Sequence, residues 1–347
     1  MPGLAVLTPF AFPSVRGNAV TVDRIVRGLR ALGLSVRTWD LSVTDAGTVA
    51  ADVEEWRPAL IHAFHAYRVG PLALRLARRL EVPLVVTLTG TDANHDLLDP
   101  ARGDIVRRVL EGATAVVAFH ESIVEGVASV VPDVRARATV VPQAACLDGR
   151  EPFDLSARWA LPPERVLFLM SAGIRMVKAP RRPLGPFDGL VAALPRVRLL
   201  YAGPVIDADE GEALRKALAG RPWARHLGAV PHREMASLVG QADVVLNCSI
   251  SEGGMANSVL EAMVLGRSVL ATDIPGNRAL VEDGVTGLLF TDDDSLAEAA
   301  GRLAGDPALR ARLGRQARAL VEQRYPPSRE IAGYTAIYRR HAGVLAA

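Results

Sequence analysis

Short apolar runs alternate with amphipathic segments along the whole chain. The opening has an apolar run at 4–7, a helical pattern over 18–32 and a second run at 35–39, with Gly33 where a helix would end. Further apolar runs follow in the same half, at 60–64, 84–88, 115–119 and 139–141. Because these runs lack the apolar–polar alternation of a half-exposed sheet, they predict parallel strands covered by helices on both faces.

The pattern lapses over 146–164, a polar stretch with prolines that reads as a linker. Apolar runs then resume at 166–170, 197–202, 243–248, 268–271 and 288–290, with helical patterns around 188–194, 212–218, 233–241 and 257–264. After Phe290 only helical patterns remain, at 294–304, 307–324 and 328–344. We therefore predict an α/β protein with doubly wound domains at 1–148 and 149–327 and a terminal helix in 328–347.

Length and charge narrow the class of protein. The 347 residues suit two ordinary domains, and the formal charge of +2 argues against a nucleic-acid-binding protein. Cys146 and Cys248 have neither metal-site nor redox spacing, which favours a reducing compartment. No signal peptide or membrane-length apolar run is evident. We expect a cytoplasmic protein, with peripheral membrane contact left open.

A glycine-rich loop between a strand and a helix marks a candidate phosphate site. The apolar run ends at Cys248, and the next helical pattern begins near Asn257 or Ser258. Backbone amides at such a helix start bind phosphate, and glycines allow the backbone to approach it closely. The predicted diphosphate cradle comprises Gly253, Gly254, Met255, Ala256, Asn257 and Ser258.

Two glutamates flank this loop. Glu252 lies in the loop, and Glu261 lies about one turn into the helix. From these positions one carboxylate can accept hydrogen bonds from sugar hydroxyls and the other from a ribose. The positions alone leave open which glutamate takes which role.

The stretch from Glu252 to Gly266 resembles the signature of the family-4 retaining glycosyltransferases, in which two glutamates flank a glycine loop. That family expects a glycine, an arginine and a lysine early in the second domain, and this chain has Gly173, Arg175 and Lys178. The resemblance implies that the two cations neutralise a departing nucleoside diphosphate. It also implies that Glu252 orients the sugar and that Glu261 holds the ribose. It also implies a GT-B fold, with two Rossmann-like domains facing a central cleft and a C-terminal helix crossing back to the first domain.

The chain carries eight residues between the two glutamates, although the family pattern has seven. One residue inserted within a helix would rotate everything after it by about 100°. We therefore expect Gly253 and Gly254 to absorb the insertion, because glycine accepts backbone angles that other residues avoid.

Candidate residues in the first half belong to the loops after strands. Gly17, followed by Asn18, would let the backbone approach the donor closely. The alternative interpretation is that the two residues have no contact with a ligand and that Asn18 is only a helix N-cap. The segment around Thr89, Gly90 and Asp92 resembles the family's Thr-x-His-Gly-x-Asp loop, with Thr89 at the histidine position. We place these three residues, together with His120, on the sugar and acceptor side.

The resemblance extends over nearly the whole chain and is closest to the glycosyltransferase-1-domain-containing group, with some similarity to selenosugar synthases. It implies retaining transfer from a nucleotide sugar, by default a UDP-sugar such as UDP-GlcNAc. No cofactor is expected beyond the donor, and no metal, because the cations serve the leaving group and 292–294 reads as helix capping. Two alternatives stay open: a nucleotide-sugar 2-epimerase and a non-catalytic sugar-nucleotide binding protein.

Overall fold

The computed structural model describes residues 3–14, 17–144, 146–147 and 151–342 and divides the chain into two compact units. The first contains Met1–Ala144, Glu252–Met255 and Pro326–Ala347, and the second contains Ala145–Ser251 and Ala256–Tyr325. The boundary predicted between positions 148 and 149 lies outside the described residues.

The first unit is built on a six-stranded parallel sheet. Its strands are β1 Leu4–Thr8, β2 Val36–Asp40, β3 Leu60–Phe64, β4 Leu84–Thr87, β5 Ala115–Ala118 and β6 Ala138–Val140. Its connecting helices are α1 Gly17–Ala31, α2 Ala46–Trp56, α3 Gly70–Leu80, α4 Thr91–Asn94, α5 Gly103–Gly112 and α6 Glu121–Ala128. The strand order is β2-β1-β3-β4-β5-β6, so the winding direction reverses between β1 and β3.

Helices cover both faces of this sheet, which explains the continuous apolar runs. Every residue of β1, β3, β4 and β5 is buried. Gly33 has a φ of 82°, and its amide donates to the carbonyl of Arg30, the glycine stop that the sequence predicts after the first helix.

The second unit also has a six-stranded parallel sheet, in the order β12-β11-β10-β7-β8-β9. Its strands are β7 Val166–Ser171, β8 Val197–Ala202, β9 Ala224–His226, β10 Val244–Asn247, β11 Ser268–Thr272 and β12 Leu288–Phe290. Its helices are α7 Leu155–Arg158, α8 Leu184–Ala193, α9 Ala208–Leu218, α10 His232–Gly240, α11 Asn257–Val264, α12 Pro275–Arg278, α13 Asp293–Gly305 and α14 Pro307–Arg324. Here the winding reverses between β7 and β10.

Two features of the second unit depart from the sequence pattern. The apolar pattern does not predict the edge strand β9, because this strand is three residues long and has an exposed Arg225 at its centre. Much of the predicted linker is packed: the Phe153 amide donates to Ser237 Oγ at 3.0 Å, and Leu155 is 1% exposed. The chain therefore joins the second unit well before position 164.

The terminal helix α15, Pro327–Ala342, belongs to the first unit and packs against α1 and the sheet. Ile331, Tyr334 and Tyr338 are buried together with residues of β1, β3 and β5. Their spacing along the pattern at 328–344 predicts from the sequence that they share one apolar face, and the structure buries that face. Ile331 is so close that a Cβ added to Gly28 would lie 2.4 Å from its Cδ1 atom.

Polar groups are also buried beneath α15, where the apolar pattern alone does not anticipate them. Arg24 donates through Nε and Nη2 to the two carboxylate oxygens of Glu330, both at 2.8 Å. The ring nitrogens of His62 lie 2.7 Å from Tyr338 Oη and 2.7 Å from Thr87 Oγ1. Burial lowers the pKa of His62 to about 3, so its ring is neutral near pH 7.

Among the described residues, no helix has the length and apolar character needed to cross a bilayer.

Candidate functional site

The candidate site on the second unit lies where the winding direction reverses. β7 and β10 are adjacent and parallel, so the loops that follow Ser171 and Asn247 leave the same edge of the sheet. In open α/β sheets this position forms the usual ligand crevice. The amide of Ile250 donates to the carbonyl of Val177 at 3.0 Å, which holds the two loops side by side.

Val177 is the centre of a single 3-10 turn, Met176–Lys178, preceded by Arg175 in an extended conformation. Arg175 and Lys178 are both half-buried. The hydrogen bond from Ile250 to Val177 therefore places the turn that carries both cations beside the loop after β10.

The other side of the cationic turn rests on the loop after β8. The Ile174 amide donates to the carbonyl of Pro204 at 2.8 Å, and the Ile206 amide donates back to Ile174 at 3.0 Å. A Cβ added to Gly173 would lie only 2.3 Å from Ile206 Cδ1. Gly173 is thus needed for this close packing, whatever it contributes to a ligand.

A buried polar network supports the loop after β10. Thr272 Oγ1 donates to the carbonyl of Ser249 at 2.7 Å, and Asn277 Nδ2 donates to the carbonyl of Thr272 at 2.9 Å. The amide of Ser249 donates to Asn247 Oδ1 at 3.0 Å. Asn247 and Thr272 are not among the residues predicted from the sequence, although a polar residue at the end of an apolar strand is a signal that the sequence contains. Their role in the structure is to fix the path of the loop.

Helix α11 begins at Asn257, as the sequence predicts. Ala256 precedes it in an extended conformation and provides no side-chain cap. Backbone amides at the start of a helix are suited to binding an anion. Ser258 and Glu261 lie in the first turns of this helix and are half-buried.

The four residues Glu252–Met255 pack within the first unit. Asn94 Nδ2 donates to the carbonyl of Glu252 at 2.7 Å, and Gln143 Nε2 donates to the carbonyl of Met255 at 3.0 Å. A Cβ on Gly253 would lie 2.6 Å from the carbonyl oxygen of Thr89. Only glycine permits so close an approach of two backbones.

Gly254 has a φ of +103°, a conformation that disfavours other residues. It lies where the sequence analysis expects the additional loop residue, and α11 follows without an irregular turn. Gly90 is similarly constrained, with a φ of +119° and an added Cβ that would lie 2.7 Å from the Cα atom of Gly253.

Asp92, predicted on the sugar and acceptor side, is held by backbone amides in the structure. Its side chain is fully buried, and its Oδ1 atom accepts hydrogen bonds from the amides of Thr89 and Gly90 at 3.0 and 2.9 Å. Its Oδ2 atom accepts from the Ala66 amide at 2.8 Å. A carboxylate that accepts these hydrogen bonds shapes the loop that carries Thr89 and Gly90, and the place of Asp92 on the sugar and acceptor side stays a prediction.

The remaining first-unit candidates lie at or near the starts of helices. His120 caps α6 by accepting at Nδ1 from the Ser122 amide, and a Cβ on Gly254 would lie 3.2 Å from the His120 Cβ. Because α1 begins at Gly17, Asn18 lies within the first turn and not at the N-cap. Thr89 is half-buried in the loop that Asp92 shapes.

The acidic run after β12 is a helix cap, as predicted: Asp292 accepts from the Ser295 amide in a capping box at the start of α13. Asp207 caps α9 by accepting hydrogen bonds from the amides of Asp209 and Glu210. Within residues 3–14, 17–144, 146–147 and 151–342, no three His, Cys, Asp or Glu side chains are placed to hold a metal ion.

The comparisons with known proteins identify the family. Residues 167–306 match the model described as Glycosyl transferases group 1, and residues 9–144 match the Glycosyl transferase 4-like domain. The D-inositol 3-phosphate glycosyltransferase of Xylanimonas cellulosilytica is 31% identical over 308 residues, which cover 79% of this chain and 70% of that protein. The chain belongs to the group 1 glycosyltransferases.

Two further similarities extend over most of this glycosyltransferase. Glycosyltransferase 1 domain-containing protein 1 of Xenopus tropicalis is 27% identical over 317 residues, covering 89% of this chain and 90% of that protein. The crystal structure of Anabaena HepE in complex with UDP and glucose matches with a TM-score of 0.79 and 17% identity over 97% of this chain and 99% of that chain. The predicted GT-B fold and family resemblance are confirmed.

Proposed function

We propose that this glycosyltransferase transfers a sugar from a UDP-sugar, with UDP-GlcNAc and UDP-glucose as the first donors to test, to an acceptor with retention of the anomeric configuration. The observation that carries the proposal is the hydrogen bond between Ile250 and Val177, which joins the cationic turn to the loop leading to α11. The choice of UDP is supported by the Anabaena structures, which were solved with UDP and UDP-glucose.

In the proposed reaction the bond between the anomeric carbon and the diphosphate oxygen breaks, and its electron pair stays on the diphosphate. Arg175 and Lys178 stabilise the charge that develops there, and the amides at the start of α11 add to this stabilisation. Glu252 orients the sugar through its hydroxyls, and Glu261 accepts hydrogen bonds from the ribose. The acceptor takes the sugar and gives up a proton.

We also propose that the enzyme transfers the sugar without a divalent metal. Two fixed cations beside a helix start supply the positive charge that Mg²⁺ supplies to a departing diphosphate elsewhere. The proposed donor contacts thus come from the chain's own side chains and backbone.

The experiment is a thermal-shift screen of UDP-, GDP-, ADP- and dTDP-sugars, followed by mass spectrometry of reactions with and without candidate acceptors. Acceptor-dependent transfer from a UDP-sugar, with NMR evidence of retained configuration, is the expected result. An epimerised sugar formed from the donor alone would instead indicate an isomerase. Donor binding without any turnover would indicate a binding protein.

A further inference from the structure

A cavity lies entirely within the first unit, at the point where the winding of that unit's sheet reverses. Its volume is about 560 Å³, within the range of small-molecule sites. The loops after β1, β2 and β3 contribute Phe10, Ser42 and Arg68, respectively, and Arg102 precedes α5. The cavity therefore occupies the position in the first sheet that the candidate donor site occupies in the second.

Two guanidinium groups give the cavity its charge. Arg68 lies over the ring of Phe10, 5.6 Å from its centroid, and Arg102 lies over Tyr67 at 5.4 Å. Arg102 donates to Asp96 at 2.9 Å, so these two charges offset each other. Within the described part of the chain, Arg68 forms no ion pair with a carboxylate, which leaves the lining with an uncompensated positive charge.

Neighbouring loops are braced around this cavity. Asp40 Oδ1 accepts from the Ser42 amide at 2.8 Å, and its Oδ2 accepts from the Ala11 amide at 2.7 Å, which ties the loops after β1 and β2 together. His65 Nε2 lies 3.0 Å from Thr91 Oγ1, which connects the loop after β3 to the start of α4. Gly90, which lies against Gly253, comes directly before α4, and Asp96 of the cavity comes after it.

We propose that this cavity binds an acceptor that carries an anionic group, a carboxylate or a phosphate, with Arg68 as its principal ligand. An arginine offers a planar fork of N–H donors that matches either group. Stacking on Phe10 positions the guanidinium in advance, so less conformational entropy is lost when an anion binds. The rings of Phe10 and Tyr67 provide apolar surface for the body of the acceptor. This proposal rests on the proposed transferase function, to which it adds a class of acceptor.

The test measures binding by calorimetry with UDP present at saturation, so that anions do not compete for the donor site. The probes are glycerol 3-phosphate, glucose 6-phosphate and glucuronate, each compared with its neutral counterpart, glycerol or glucose. At least one anionic probe should bind more than about 10-fold more tightly than its counterpart, because the neutral compound cannot form a charge-assisted hydrogen bond with the guanidinium. Failure of all three anionic probes to bind would overturn the proposal.

Arg68→Ala should weaken binding of that probe about 10-fold or more, and Arg68→Lys should restore part of the affinity because it keeps the charge but loses the fork. The matched control is Arg75→Ala, since Arg75 is exposed on α3 and does not line the cavity. Equal losses in the Arg68 and Arg75 variants, or no loss in Arg68→Ala, would also overturn the proposal. Absence of UDP binding in the wild-type protein would contradict the proposed function instead, so the two failures are distinguishable.

Discussion

At the scale of single residues, two kinds of residue matter for the candidate donor site. One kind has a positively charged side chain, and the other is glycine, which permits close backbone contacts or a positive φ. Arg175 and Lys178 supply the first kind, on a turn held by Val177. Gly253 and Gly254 supply the second, because a Cβ at one would collide with the Thr89 carbonyl and the other has a positive φ. The two kinds of residue require different experimental tests.

Arg175→Ala and Lys178→Ala should each reduce turnover about 100-fold or more, since losing one group that stabilises transition-state charge costs on the order of 3 kcal/mol. Steady-state kinetics with the identified donor provide the measurement. Lys216→Ala is the matched control, because Lys216 is the only other lysine in the chain and lies exposed on α9. Near-normal rates in both site variants would remove the cationic turn from the mechanism.

Glu261→Ala should raise the dissociation constants of both donor and free UDP, because the proposed contact is with the ribose. Glu252→Ala should spare UDP affinity and chiefly slow transfer, because its proposed contact is with the sugar. Calorimetry with UDP, combined with kcat and KM for transfer, separates the two effects. An equal loss of UDP affinity in both variants would contradict this division of roles.

At the scale of elements, α15 is anchored by buried polar pairs as well as by apolar packing. Glu330→Ala should lower the free energy of unfolding by about 3–5 kcal/mol, because the buried guanidinium of Arg24 would lose the carboxylate that offsets its charge. The control is Asp23→Ala, which removes the partially exposed partner of Arg27 on the same helix α1 and should cost less than about 1 kcal/mol. Urea titration of both variants tests the difference; similar losses would show that burial of the pair is unimportant.

His62, beneath the same helix, makes stability depend on pH. Its pKa falls from the ordinary value of 6.5 to about 3 on folding. Between these values the unfolded chain takes up a proton that the folded chain does not, so stability decreases as pH falls. The loss attributable to this ring should be about 2 kcal/mol between pH 7 and pH 5. His62→Gln should show a shallower pH dependence in urea titrations; an unchanged slope would exclude His62 as a source.

At the scale of the whole molecule, the same architectural feature occurs twice. Each unit has a six-stranded parallel sheet whose winding reverses once, between β1 and β3 in the first and between β7 and β10 in the second. Loops diverge at such a reversal and leave a crevice at the carboxyl ends of the strands. The proposed acceptor cavity and the proposed donor site occupy these two crevices.

Activity should persist in excess EDTA at more than about half of the untreated rate, because the proposed leaving-group charge is balanced by Arg175 and Lys178. Initial rates before and after chelation, followed by addition of Mg²⁺ or Mn²⁺, provide the measurement. Loss of activity that either ion restores would show that the two cations are insufficient.

The sequence by itself determined the architecture, because an unalternating apolar run is compatible with only a few buried arrangements. It also predicted the start of α11 and the buried face of α15, since glycine punctuation and helical spacing act over short distances. It could not predict β9, whose three residues include an exposed arginine and which forms only by pairing with β8. Weak local preference there is overridden by tertiary contact.

Only the tertiary structure decided how distant residues are used. Asp92 appears in a ligand-like motif, yet its burial and its backbone hydrogen bonds make it a support for the loop. The sequence does not predict Arg68 as a site residue, because a single arginine outside a motif carries no local signal of its function. Its position becomes informative once the fold places it over Phe10 in a cavity. Composition and spacing predict which elements form, whereas the surroundings of a charged side chain depend on contacts between residues far apart in the chain.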